Sequence, residues 1–131
     1  MTINTICIID DDPIFVFGSK ILLRNNSFAS DYLVCQNGQE ALDTIIPLIE
    51  SEERLPEVIF LDLNMPIMDG WEFLDEFGKI SRESGIRIYI LSSSVDSRDL
   101  ERAKKYDIVS GFIAKPLTDV KIKELAQEIE G

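Results

Sequence analysis

The chain has no histidine, two cysteines, one tryptophan and barely half as many basic residues as acidic ones. Without histidine, and with Cys7 and Cys35 too far apart for a CxxC pair, it cannot supply the nitrogen and paired-sulfur ligands that zinc prefers. Both cysteines fall in strand-like segments and are expected to be buried free thiols of a reducing compartment. Thirteen Lys and Arg against 24 Asp and Glu give a formal charge of -11, so the surface repels nucleic acid and anionic lipid. No apolar run approaches the roughly 18 residues of a membrane span. The opening MTINTICIIDDD lacks a basic region, a long apolar stretch and a small-residue cleavage site. A soluble cytoplasmic protein is therefore expected, with no nucleic-acid or membrane partner. What the chain does have is 45% hydrophobic residues in 131, enough for one core and one domain.

Short β-branched runs alternate with longer helical patterns. Strands are expected at 3–9, 32–36, 58–61, 86–91 and 109–114. Between them apolar residues recur at helical spacing, as in Ile14, Phe17, Gly18 and Ile21; Ala41, Leu42, Ile45 and Ile49; Phe73, Leu74 and Phe77; Leu100 and Ala103; and Ile122, Leu125, Ala126 and Ile129. Helix starts are marked by Asp12-Pro13, by Asp69-Gly70 before Trp71, and by Thr118 with Asp119. Pro47 should kink or shorten the second helix, and 51–56 reads as an exposed loop. The strands are apolar throughout instead of alternating, so they need cover on both faces. That means an α/β fold with a doubly wound parallel sheet and helices on either side.

In such a sheet ligands bind beyond the carboxyl ends of the strands. The residues there are Asp10, Asp11 and Asp12 after the first strand, Asp62 after the third, Ser92, Ser93 and Ser94 after the fourth, and Lys115 after the fifth. Each has an ordinary explanation. Asp12 before Pro13 reads as a helix cap, Asp10 and Asp11 can form a turn, the serines can form a loop with a cap, and Lys115 can be a solvated surface group. Asp62, followed by LNMP, is poorly explained as a cap. The conjunction is what carries chemistry: two carboxylates about 4 Å apart repel by roughly 4 kcal/mol at an effective dielectric of 20. An all-oxygen acidic cluster calls for a hard cation such as Mg2+ or Mn2+. Beside it, an aspartate can attack phosphorus, with Lys115 and the Ser92 hydroxyl stabilising the phosphoryl oxygens.

These residues resemble the receiver domain of two-component response regulators. The resemblance rests on IIDDDP, FLDLNMPIMDG, ILSSS and FIAKP, in order over the full length. It implies a flavodoxin-like (βα)5 fold with strand order 2-1-3-4-5, and one receiver domain over 1–131 with no output domain, since the chain ends at Gly131. It also implies that Asp10 and Asp11 are the metal-binding acids, that Asp62 is the phosphorylated aspartate and a further metal ligand, and that Asn64 offers its backbone carbonyl to the metal. Ser92 corresponds to the hydroxyl residue that moves to the phosphoryl group and is preferred over Ser93. Asn64 and Ser94 occupy positions that modulate phosphoaspartate hydrolysis. Phe112 corresponds to the aromatic switch residue and lacks the hydroxyl of the tyrosine that many relatives carry. Lys115 corresponds to the phosphoryl-binding lysine, with the bond to Pro116 expected cis.

The implied role is a signalling switch, not an enzyme beyond assisting its own phosphorylation and dephosphorylation. A sensor histidine kinase or histidine phosphotransfer protein donates to Asp62, and the surface of the fourth helix, fifth strand and fifth helix changes its affinity for a separate effector. A homodimer on phosphorylation is compatible with this. Two alternatives are a binding module of the same fold that ignores phosphorylation, and a Mg-dependent phosphohydrolase. The second lacks a general acid, because the position two beyond Asp62 is Asn64. Trp71 can be a core residue at a helix start or an exposed contact, with the core preferred.

Overall fold

A computed structural model describes residues 3–80, 85–93 and 96–130. Strands and helices alternate along it: β1 (Ile3–Ile9), α1 (Pro13–Asn25), β2 (Ala29–Cys35), α2 (Gly38–Glu50), β3 (Val58–Asp62), α3 (Gly70–Gly78), β4 (Arg87–Ser92), α4 (Ser97–Ala103), β5 (Val109–Ala114) and α5 (Asp119–Glu130). All strand pairs are parallel, in the order β2-β1-β3-β4-β5 expected of the flavodoxin-like fold. The chain steps from β1 out to β2 and returns across β1 to β3. A crevice therefore opens where the order reverses, at the carboxyl ends of β1 and β3.

Two apolar layers cover the sheet. Along each inner strand, successive side chains alternate between them. Cys7, Ile9, Ile59, Leu61, Ile88 and Ile90 pack with α2, α3 and Ala103 of α4. Ile6, Ile8, Val58, Phe60, Tyr89 and Leu91 pack with Val16 and Leu23 of α1 and Ile122 and Leu125 of α5. All five residues of β3 are buried, which is why its sequence is apolar on both parities until the final Asp62. Truncating Phe60, which is fully buried between Phe28 and Tyr89, would cost about 3–5 kcal/mol. Cys7 and Cys35 are buried free thiols. No helix among the described residues is long and apolar enough to cross a membrane.

The helix starts follow local chemistry. Asp12 caps α1, its Oδ1 accepting from the N–H groups of Ile14 and Phe15 at 3.0 and 3.3 Å, with Pro13 in the first turn. Asp69 and Glu72 form a reciprocal capping box at α3.

Other features differ from the sequence expectation. The stripe Ile14, Phe17, Gly18 and Ile21 does not face the sheet. Ile14 is 83% and Phe17 69% exposed, and α1 buries Val16, Ser19 and Leu23 instead. Helix α2 runs on for three residues past Pro47 and is not shortened. Pro47 and Asp43, whose carbonyl loses its helical donor, are both exposed, so water can satisfy that carbonyl. Strand β2 begins at Ala29, earlier than its β-branched residues suggest, because Ala29 and Asp31 pair with Ile3 and Thr5 of β1. Asp62 and Ser92 are the last residues of β3 and β4, not the first residues beyond them. In the 51–56 loop the first four residues are exposed, but Pro56 is buried.

Candidate functional site

The parallel register brings Asp10, Asp62, Ser92 and Lys115 to one end of the sheet. Asp10 follows β1, and its N–H donates to the Cys35 carbonyl at 2.9 Å, so the β1–β2 ladder fixes its backbone. Its carboxylate is buried and used on both oxygens: Oδ1 accepts the Asp12 N–H at 2.9 Å, and Oδ2 accepts from Lys115 Nζ at 2.8 Å. Asp11 next to it is exposed. Asp62 pairs with Leu91 of β4 and is 8% exposed. One carboxylate oxygen from each of Asp10, Asp11 and Asp62 falls within 4.8 Å of the others.

Lys115 leaves β5 beside this cluster. Its N–H donates to the Ser92 carbonyl at 2.8 Å, locking it to the end of β4, and its bond to Pro116 is cis. The ammonium lies 2.8 Å from Asp10 and 3.5 Å from Asp62. Sequence reasoning missed its third neighbour: Nζ sits 4.1 Å from the centre of the Phe15 ring. The signal was present, since a cap at Asp12 puts Phe15 in the first turn of α1, beside the acids.

Burial, then the charge of Asp10, raises the Asp62 carboxyl above the ordinary aspartate range, and Lys115 only partly offsets this. For Lys115, burial alone would depress the ammonium, but the hydrogen bond and charge of Asp10 and the charge of Asp62 outweigh it and raise the pKa. Three carboxylates against one ammonium leave two uncompensated negative charges. The donor set is all oxygen and converges within one ion's reach, which fits a hard divalent cation.

The 64–69 segment folds back beside Asp62. The N–H of Met68 donates to the Pro66 carbonyl at 2.7 Å around Ile67, whose φ is +69°. This is a tight γ-turn in a conformation unfavourable for a β-branched residue. The carbonyl of Met68 then accepts from Gly38 at 2.9 Å, tying this loop to the start of α2. Asn64 is exposed on it. Ser92 is buried at the end of β4, Ser93 is exposed, and Ser94 lies outside the described residues. Phe112 is half-buried on β5 and packs against the layer that contains α2, α3 and α4. Trp71 is a core residue: Tyr106 stacks on it at 5.8 Å, and the Arg102 guanidinium covers it at 4.4 Å.

The arrangement has counterparts. The sequence model of the response regulator receiver domain matches residues 6–127. The nitrate/nitrite response regulator protein NarL of Escherichia coli is 35% identical over 86% of this chain and 48% of its own length. The sporulation initiation phosphotransferase F of Bacillus subtilis is 29% identical over 94% of this chain and 90% of its own. A two-component response regulator from Cytophaga hutchinsonii, solved by crystallography, superposes with a TM-score of 0.89 at 29% identity, covering 99% of this chain and 98% of that one. The chain spans about half to three-fifths of the length of several curated relatives it matches.

Proposed function

The chain belongs to the response regulator receiver domain family, and from that premise we propose that Asp62 accepts a phosphoryl group from a phosphohistidine on a sensor kinase or phosphotransfer protein. The observation that carries this is the placement of Asp62: a buried carboxylate at the end of β3, in a three-carboxylate cluster, 3.5 Å from a lysine. An Asp62 oxygen attacks phosphorus, the P–N bond to the donor imidazole breaks as the O–P bond forms, and the imidazole departs. A Mg2+ or Mn2+ ion held by Asp10, Asp11, Asp62 and the Asn64 carbonyl would supply charge neutralisation for the phosphoryl oxygens. Lys115 stabilises the transferred group from the other side, moving from the carboxylates to a phosphoryl oxygen.

Phosphorylation replaces the single negative charge of the Asp62 carboxylate with a group carrying about 1.5 to 2, a net gain of up to about one, and adds three acceptor oxygens. The Ser92 hydroxyl, at the end of the neighbouring strand, turns toward them as a donor, and Phe112 moves inward on β5. The surface of α4, β5 and α5 then changes its affinity for a separate effector. The exposed stripe Ile14, Phe17 and Ile21 begins one turn from Asp11, which supports apolar contact with the donor protein during transfer. Near end-to-end coverage of the Cytophaga protein supports reading 1–131 as one receiver, acting as a cytoplasmic switch and not as a metabolic enzyme.

The test is intact-protein mass after incubation with acetyl phosphate, with and without Mg2+. One Mg-dependent phosphoryl adduct, absent in Asp62→Asn, is expected. An adduct that persists in the variant would refute the assignment.

A further inference from the structure

We propose that Phe15 is a positioning residue for phosphoryl transfer, its ring face holding the Lys115 ammonium over Asp10 and Asp62. The proposal rests on the reading of Asp62 as acceptor. A lysine has a flexible four-carbon stem and three donors, so two carboxylates on one side do not by themselves fix where its nitrogen sits. Here the ammonium has neighbours on two sides: Asp10 at 2.8 Å, Asp62 at 3.5 Å, and the Phe15 ring at 4.1 Å. The lysine side chain is only 14% exposed as a result.

Phe15 is itself held in place. Its N–H is one of the two that cap on Asp12, and its half-buried ring packs against the layer that includes Leu117, two residues after Lys115. The first turn of α1 and the chain leaving β5 are thus braced against each other beside the acids.

The chemistry of the contact suits a lysine that must change partners. The electron-rich ring face attracts the ammonium and keeps water from it, yet offers no lone pair to compete with an incoming phosphoryl oxygen. A carboxylate or carbonyl in that place would hold the lysine back. An aliphatic side chain would exclude water without attracting the charge. Phe15 therefore favours the position from which Lys115 can pass to the phosphoryl group, and acts on the transfer step and not on metal binding.

The test compares the wild type with Phe15→Leu, with Phe15→Tyr, and with a series in which Phe15 is replaced by increasingly fluorinated phenylalanines that keep the ring but drain its π face. Three quantities are read: the acetyl phosphate labelling rate at saturating Mg2+, the Mg2+ dissociation constant by calorimetry, and the thermal midpoint. The rate is expected to fall about 3- to 10-fold in Phe15→Leu and progressively with fluorination, and to be retained in Phe15→Tyr. The Mg2+ affinity stays within about twofold throughout, and the fluorinated proteins melt with the wild type. A labelling rate indifferent to residue 15 overturns the proposal and leaves Asp62 as acceptor. A rate that falls equally in Phe15→Tyr and Phe15→Leu also overturns it, because shape alone would then account for the loss. A wild type that takes no phosphoryl group overturns both readings.

Discussion

A Cβ on Gly70 would lie 2.6 Å from the backbone carbonyl oxygen of Asp62 and 2.9 Å from the Cα of Leu63. The first residue of α3 is pressed against the end of the strand that carries Asp62, and its N–H donates to the Leu63 carbonyl at 3.0 Å. Both obstructing atoms are backbone, so a methyl group can be admitted only by moving one element. Gly70→Ala is expected to cost about 1–3 kcal/mol in urea unfolding and to slow labelling of Asp62 in the protein that remains folded. Wild-type stability in this variant would show that α3 is free to retreat from Asp62.

The raised pKa of Asp62 predicts that its ionised carboxylate weakens the metal-free protein at neutral pH. Its folded pKa is raised, first by burial and then by Asp10, so the folded state binds the proton more tightly than the unfolded one. Stability from this group is present below the ordinary value of 3.8 and is lost as pH rises through the folded pKa. Asp62→Asn should therefore unfold at higher urea than wild type at pH 7 without Mg2+. The advantage should shrink toward pH 3. Equal midpoints at both pH values would show that Lys115 fully compensates the burial.

Lys115 has the same sign of shift but is charged at neutral pH, so there it stabilises the fold. Its folded pKa is raised above 10.5, so its contribution is complete below that value and is lost as pH climbs through the folded pKa. Lys115→Met leaves the buried Asp10 carboxylate without its 2.8 Å partner and should cost about 3 kcal/mol at pH 7. The difference from wild type should narrow in denaturation measured at pH values rising beyond 10.5.

Substitution of Asp11 can separate the proposed metal binding from folding, because Asp11 is the exposed member of the carboxylate cluster. Asp11→Asn should leave metal-free stability within about 0.5 kcal/mol of wild type. Mg2+ at about 100 times the wild-type dissociation constant stabilises the wild type by about 2.7 kcal/mol, and most of that gain should vanish in the variant. Thermal melts with and without Mg2+ decide it, and an undiminished shift would place the ion elsewhere.

The residues themselves dictated the class of fold and the composition of the site. Runs such as VIFL cannot leave either face in water, which demands a parallel sheet with helices on both sides. An acid or lysine closing such a run must emerge at the sheet's edge. Asp12-Pro13 and Asp69-Gly70 start their helices through chemistry within a few residues, so α1 and α3 begin where the sequence places them. Tertiary structure decided what depends on distant partners. Helix α1 carries two apolar stripes, and periodicity cannot tell which one meets the sheet; packing against the layer of Phe60 and Leu91 selects Val16 and Leu23 and turns Ile14 and Phe17 outward. Ala29 to Asp31 have little strand preference of their own and extend because β1 lies beside them. The meeting of Lys115 with Asp10, across 105 residues of chain, and with the face of Phe15 follows from strand register and helix docking. No local pattern encodes such a meeting, because its geometry is fixed only when β1, β3, β4 and β5 have paired and α1 has settled on them.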